Sequence, residues 1–371
     1  MTDTAKPVIL FVLHMPPPVH GAAMVGKFIH DSSRINQLFD CHYIDLATAA
    51  SIEDIGKVGL KKLWNFILLF YSIWHEVRKN TPQLVYITPN AKGGAFYKDW
   101  IIVMMLKAMG CTIVAHYHNK GVANYQDRKI DNWLYKYFFK NLKVILLADN
   151  LYQDIEKYVR REDVFICPNG IPVEKIVSHQ RKEKCQLLFL SNLIVSKGVI
   201  DLLDACSILK GNGVVFECLF VGAETDEMTS DRFSQEVKNR GLEGRVHYLG
   251  KKYGEEKESI WNDADIFVFP TFYPNECFPL VLLEAMQHGL PCVSTDEGAI
   301  SGIIEDGITG FIVERKNPEQ LAKRIQQLLS DANLRHSMGV AGRQKFEEEY
   351  TLSVFEKRMS DIFLQILSER K

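Results

Sequence analysis

Residues 264–298 read ADIFVFPTFYPNECFPLVLLEAMQHGLPCVSTDEG, and the order strand, polar loop, helix, strand within them decides the fold class. Ile266 to Phe269 is apolar at every position and Cys292 to Ser294 is a second short run, as expected of central strands in a parallel sheet covered on both faces. Thr271 to Glu276 supplies turn formers and polar groups. Pro279 suits the start of a helix, where no backbone donor is needed. The helix is expected to run to about His288, with Gly289 and Pro291 as its stop.

A helix that starts at the C-terminal edge of a parallel sheet aims its first N–H groups into the crevice there, a setting that favours an anion such as a diphosphate. Glu276 lies just before this helix and Glu284 inside it. An arbitrary pair of glutamates at this spacing is most often two solvated surface groups. Beside a phosphate site, a carboxylate makes sense if it accepts hydroxyls from a ribose or a hexose. The segments NECFPLVLLEAM, GLPCVSTDEGAI and EDGITGFIV together resemble the signature of the family 4 retaining glycosyltransferases (group 1), nucleotide-sugar enzymes of the GT-B fold.

Composition sets the outer bounds. The chain has 371 residues, 47% of them hydrophobic and 24% charged, which suits a globular protein of about two domains. A formal net charge of −2 gives no global attraction to nucleic acid or an anionic membrane, so any such contact must be local. The eight cysteines are scattered, with no C-x-x-C pair and no zinc spacing; they read as buried small hydrophobes in a reducing compartment. VILFVL near the start is too short and wrongly flanked for a signal peptide. Leu63 to Trp74 is apolar over about half a membrane span, so no transmembrane helix is expected.

Taken in order, Val8 to Leu13 is a buried strand, followed by the loop MPPPVHGAAMVGKFI and a helix near Ala22. There is no G-x-G-x-x-G, which disfavours a dehydrogenase-type dinucleotide site. Cys41 to Leu46 is the next strand. In Gly59 to Asn80, Lys61, Lys62, Arg78 and Lys79 bracket a tryptophan-bearing apolar run with two readings: a core helix burying Trp64, Phe66, Leu68 and Trp74, or a helix lying on a membrane surface. Leu84 to Thr88 is a strand, and after it Asn90, Lys92 and Asp99 are placed where they could touch an acceptor. Thr112 to His116 ends in HYHN; His118 is the candidate ligand contact there, with His116 read as pointing to the opposite side and buried. Lys143 to Leu147 and Val164 to Cys167 are strands with a helix over Asp149 to Arg160 between them. Asn317 to Ser330, Asn333 to Glu349 and Thr351 to Glu369 are amphipathic helices, the last with the stripe Phe355, Met359, Ile362, Phe363, Ile366 and Leu367.

The resemblance implies two Rossmann-like α/β/α domains facing each other across a cleft: an acceptor-binding domain over 1–175 and a nucleotide-sugar domain over 176–350, with a C-terminal helix of about 351–371 crossing back to the first. PNGIP, Pro168 to Pro172, resembles the junction, and the polar stretch Glu174 to Lys184 completes a linker. It further implies that Gly21 lies beside the donor phosphates, that His118 contacts the donor sugar and leaving phosphate, and that Lys197 clamps the diphosphate. The amides around Cys277, Phe278, Pro279 and Leu280 would join that clamp, Glu276 would hold the sugar hydroxyls and Glu284 the ribose. Gly222, Gly250 and Lys251 would line the base. Asn192 stands where most relatives carry arginine, which leaves Lys197 as the main cation, and Ser301-Gly302 stands where a proline-glutamate pair is common.

The expected reaction is a retaining transfer of a sugar from a nucleotide-diphosphate sugar to an acceptor glycan or lipid-linked sugar in surface-polysaccharide or glycoconjugate synthesis, with no metal and no other cofactor. The expected location is the cytoplasm, with peripheral contact to the inner membrane face if the acceptor is lipid-linked, and no nucleic-acid partner. A catalytically silent nucleotide-sugar-binding partner of another transferase, motivated by Asn192 and Ser301-Gly302, and a nucleotide-sugar epimerase of the same fold are the alternatives.

Overall fold

The computed structural model describes residues 5–17, 21–46, 60–175 and 184–369, with the side chains of 60–62 excepted. The chain divides into two compact units, residues 1–170 with 352–371, and residues 171–351. Most of the linker placed at Glu174 to Lys184 lies outside the described residues.

The first unit is built on a parallel sheet of β1 (Val8–Leu13), β2 (Asp40–Asp45), β3 (Leu84–Ile87), β4 (Ile113–His116), β5 (Lys143–Leu146) and β6 (Val164–Ile166) in the order β2-β1-β3-β4-β5-β6. The apolar run in β1 leaves residues 9–13 buried, with Ile9 beside Cys41 on one flank and Leu84 on the other. From β1 the chain moves toward one edge through α1 (Gly21–Asp31) and α2 (Ser33–Leu38). From β2 it moves the other way through α3 (Leu60–Asn80), α4 (Gly93–Ala108) and α5 (Lys129–Phe139). Right-handed crossovers running in opposite directions put these two sets of helices on opposite faces. On the α1/α2 face, Phe11, Tyr86, Val114 and Ile145 share one core with Val25, Ile29 and Ile35.

The second unit repeats the plan with β7 (Gln186–Leu190), α6 (Val199–Gly211), β8 (Glu217–Val221), α7 (Ser230–Asn239), β9 (Val246–Tyr248), α8 (Gly254–Asp263), β10 (Ile266–Phe269), α9 (Leu280–Gln287), β11 (Cys292–Thr295), the short α10 (Ile300–Ile303), β12 (Gly310–Val313), α11 (Pro318–Ser330) and α12 (Ala332–Glu349). Its strand order is β12-β11-β10-β7-β8-β9, all parallel. Helix starts follow local sequence: Thr229 caps α7 through Arg232 N (3.3 Å), Asn317 caps α11 through Gln320 N (2.9 Å), and Asp331 caps α12 through Leu334 N (2.9 Å).

After Thr351 the chain returns to the first unit as α13 (Leu352–Ser368), which buries Phe355, Met359, Ile362, Phe363 and Ile366 in the α1/α2 core. The Phe363 ring lies 5.7 Å from those of Phe11 and Tyr86 and 5.9 Å from that of Phe39.

Two element-level expectations are corrected. The helix expected over Asp149 to Arg160 is a 3-10 turn over Asp149–Asp154 followed by turns. The Asp154 carboxylate accepts from the amides of Gly121 (2.8 Å), Val122 (3.1 Å) and Ala123 (3.0 Å), and the next residues close bonds three apart, Ile155 N to Tyr152 O and Tyr158 N to Ile155 O. The core-helix reading of Gly59 to Asn80 also fails. Leu69, Ile73 and Val77 face inward, whereas Trp64 is 60% exposed and Leu68 and Trp74 are also exposed; Phe66 is half-buried.

Candidate active site at the switch point of the second sheet

β7 is where the second sheet reverses direction, with β8 and β9 to one side and β10, β11 and β12 to the other. Chains leaving β7 and β10 therefore diverge at their C-terminal ends and open a crevice, the place where open α/β sheets take ligands. The loop after β7 carries Asn192 and Lys197; the loop after β10 carries Thr271 to Pro279. Phe272 N donates to Ser196 O (2.8 Å) and Thr271 Oγ1 to the same oxygen (3.4 Å), which ties the two loops together.

Across that tie the Lys197 ammonium meets the Glu276 carboxylate directly, and it also sits 4.6 Å from the Tyr273 ring centroid and 5.5 Å from that of Phe269. Both charged partners are largely buried, Glu276 at 8% exposure. A buried carboxylate needs such a partner. The sequence reading gave Lys197 to a diphosphate and Glu276 to a sugar; the structure brings them together as an ion pair flanked by aromatic faces.

α9 begins at Leu280 with Pro279 as N-cap and no side chain capping it, so the first-turn amides have no side-chain acceptor. Phe278 packs edge-on against Tyr350 at 6.1 Å, and Cys277 O accepts from Ala299 N (2.8 Å). The turn is held from behind by Gly298, where φ is +59° and a Cβ would come within 2.5 Å of Glu276 O and 2.7 Å of Cys277 O. Only glycine suits that conformation at that distance. One turn into α9, Glu284 Oε1 accepts from Lys257 Nζ of α8 (2.7 Å). Lys257 was missed in the sequence, because it sits in a charged helix with no motif spacing to announce it. Tyr273 and Gly298 fall within the decisive stretch but were given no role.

The other expected positions lie around the same edge. Asn192 is exposed, and its Oδ1 accepts from Ala223 N (3.4 Å). Gly222 follows β8 with φ +150°; a Cβ would meet Ser191 O at 1.9 Å, so two strand ends approach there more closely than any side chain permits. Gly222 N donates to Gly250 O (3.0 Å), and Tyr248 Oη to Gly222 O (2.9 Å), joining the ends of β8 and β9; Lys251 is exposed. Asp263-Ala264-Asp265 has the letters of a D-x-D pair, but it precedes β10 at the far end of the strand, and Asp265 accepts from Gln186 N (2.8 Å). Among the described residues no three His, Cys, Asp or Glu side chains gather as metal ligands.

In the first unit, Gly21 opens α1, and a Cβ there would meet nothing within 4 Å, so no neighbouring group within the chain requires a glycine. His118 lies past the end of β4 with its ring 4.1 Å from that of His116. The two rings are neighbours, which corrects the expectation that they point apart: residues two apart in an extended chain return to the same face. His116 is fully buried and shares a 2.8 Å hydrogen bond with the Tyr86 hydroxyl rather than with backbone; burial, and secondarily His118, holds its pKa well below the usual range. Asp99 is corrected too. It is fully buried and accepts from Asn90 N (2.8 Å) and Asn90 Nδ2 (2.9 Å), so it shapes the loop after β3 and is not exposed to an acceptor.

Two six-stranded Rossmann-like units with a crossover helix are the GT-B architecture. Residues 171–345, nearly the whole second unit, match the family model of the glycosyl transferases group 1. A curated relative, the capsular polysaccharide biosynthesis glycosyltransferase CapM of Staphylococcus aureus, is 27% identical over 212 residues, 54% of this chain and 54% of its own. The chain spans about half the length of the curated relatives it matches. Among solved structures, a glycosyltransferase of Rickettsia africae superposes with a TM-score of 0.77 at 17% identity over 98% of this chain and 99% of its own. Anabaena HepE, solved in complex with UDP and glucose, gives 0.72 at 16% identity over 96% and 99%. These two show likeness of fold.

Proposed function

We propose that the protein is a retaining glycosyltransferase that moves a sugar from a nucleotide-diphosphate sugar to an acceptor hydroxyl in surface-polysaccharide synthesis. The observation that carries the reading is the Lys197–Glu276 pair beside the uncapped start of α9, with Glu284 one turn further on. The α9 amides and Lys197 supply fixed positive charge where a leaving diphosphate gathers negative charge, a role a divalent ion would otherwise fill. Glu276 accepts hydroxyls of the transferred sugar once the diphosphate draws Lys197 toward itself. Glu284, braced by Lys257, accepts those of the ribose. The UDP and glucose of HepE make UDP-sugars the first donors to try. The polysaccharide role rests on relatives such as CapM, and a lipid-linked acceptor would be met at the cytoplasmic membrane face.

Thermal shift against UDP-, GDP- and ADP-sugars identifies the donor, since a ligand of the folded state raises stability by mass action. Release of the nucleoside diphosphate from that donor should then fall by about a hundredfold or more in Lys197→Ala, the scale for removing one fixed charge or donor from a developing anion. Harmless replacement of Lys197, or no shift with any nucleotide sugar, would overturn the reading.

A further inference from the structure

α3, α4 and α5 cover one face of the first sheet, and each presents apolar side chains outward. On α3 these are Leu63, Trp64, Ile67, Leu68, Tyr71 and Trp74, at the three- and four-residue spacing of a single helix face opposite the buried Leu69, Ile73 and Val77. On α4 they are Tyr97 and Ile101. On α5 they are Ile130, Trp133 and Tyr137, with Ile130 73% and Trp133 52% exposed. The helices are neighbours. α3 packs on α4, and Trp100 of α4 lies 6.1 Å from Trp133 and donates to Leu134 O of α5 (3.0 Å).

The charge on these helices is mainly positive. They hold eight lysines and arginines and three acids, a net of five positive charges in a chain whose total is −2; of the basic groups Lys98 turns to Leu46 O and Lys107 to the carbonyls of Tyr137, Phe138 and Lys140, while Arg78, Lys79, Lys129 and Lys136 are exposed. The acids do not face outward: Asp99 and Asp131 are buried, and Glu76 is turned to His42 at 3.0 Å. On α5, Lys129, Lys136 and the following Lys140 are exposed beside Ile130, Trp133 and Tyr137.

We infer that the outward face of α3, α4 and α5 is a docking surface for an anionic lipid bilayer, entered by its tryptophans and aliphatic side chains and ringed by its lysines. Aromatic rings with one wet edge and lysines on long apolar stems are the side chains that settle at a headgroup boundary. A second protein copy would meet this face with the same excess of positive charge, which complementarity disfavours; phospholipid headgroups of negative charge answer it. Among the described residues no helix is long and apolar enough to cross a membrane, so the contact is peripheral. The inference rests on the proposed reaction in one respect: it gives a lipid-linked acceptor a surface on which to be met.

The test is co-sedimentation with vesicles of phosphatidylcholine and phosphatidylglycerol in equal parts, at low and raised salt. Wild-type protein should pellet at low salt. Trp64→Glu with Leu68→Glu, Ile130→Glu with Trp133→Glu, and Lys129→Glu with Lys136→Glu should each reduce the bound fraction about tenfold, the scale of removing a few charged or apolar anchors at the interface. All six positions are exposed, and the thermal shift given by UDP or the identified nucleotide reports the second unit's site independently of lipid. Failure of every nucleotide to bind would sink the proposed reaction and leave the lipid result standing. Absence of wild-type binding, binding that survives all three double substitutions, or a wild-type dimer that these substitutions dissociate would overturn the lipid surface.

Discussion

Three carboxylates and one histidine show how much a residue's neighbours decide. Glu276 and Glu284 were singled out by the motif around them and Lys197 by the helix start after β7, but neither the Lys197–Glu276 pairing nor Lys257 as the partner of Glu284 was visible in the sequence. Lys197 is far from Glu276 in sequence, and Lys257 reaches Glu284 only because α8 packs beside α9. Glu276→Gln keeps shape and removes the charge that the proposed reaction would set against the sugar, so turnover should fall far more than UDP affinity. Glu284→Ala should weaken nucleotide affinity by about 1–3 kcal/mol in calorimetric titration, and Lys257→Ala should weaken it in the same direction by about 1 kcal/mol. A gain in affinity on removing Lys257 would show that it competes with the ribose instead of bracing Glu284. His116 supplies a pH prediction. Its folded pKa lies below the unfolded value of about 6.5, so the unfolded chain binds the extra proton, and stability complete above that pH is lost as pH falls below it. His116→Gln, which keeps an acceptor for Tyr86, should make the melting temperature less sensitive to pH between about 6.5 and 5. An unchanged slope would exclude His116 as the source. The two corrections have different causes: His116 was read as buried, but residues two apart were set on opposite faces, whereas Asp99 near a strand end looked like a ligand contact until Asn90 was known to hold it.

At the scale of elements, the apolar runs were legible as strands, because β1, β3 and β10 are apolar on both faces and nothing explains that as well as a parallel sheet; the start of α9 after Pro279 and its stop at Gly289 were legible too. What the sequence could not show was which side of a helix meets the sheet. α3 has apolar residues on two faces, and periodicity marks the faces without saying which one packs. Nor could it show that Asp149 to Arg160 would form a 3-10 turn and further turns, or that the Asp154 carboxylate within them would take three amide donors from about thirty residues earlier. Asp154→Ala leaves those amides without their acceptor and should cost about 1–3 kcal/mol in urea unfolding. Asp154→Asn, which keeps one oxygen, should cost less. Equal effects would mean that the shape of the side chain matters more than its acceptor capacity.

For the molecule as a whole, one stretch carried the parallel α/β class of the second unit, with β10 and β11 read as central strands and a helix between them. The first unit was thinner in signal, since the family match covers residues 171–345 and the first unit carried the resemblance mainly at Gly21, His118 and the PNGIP junction. Removing residues 352–371 uncovers Phe11, Phe39 and Tyr86 along with the lost Phe355, Met359 and Phe363. Burial of each large side chain is worth about 1.5–3 kcal/mol, so the truncated chain should lose the cooperative unfolding of the first unit while the second keeps its nucleotide-induced thermal shift. Retention of both transitions would show that α13 is dispensable to that core. The same helix sets an order on birth of the chain. A ribosome releases the first sheet early, yet the layer that seals one of its faces is made only after the entire second unit has emerged. The half that is synthesised first is therefore completed last, and for most of translation its α1/α2 face keeps the apolar gap that Phe355, Met359 and Phe363 later fill, while its younger neighbour has already received every element of its own.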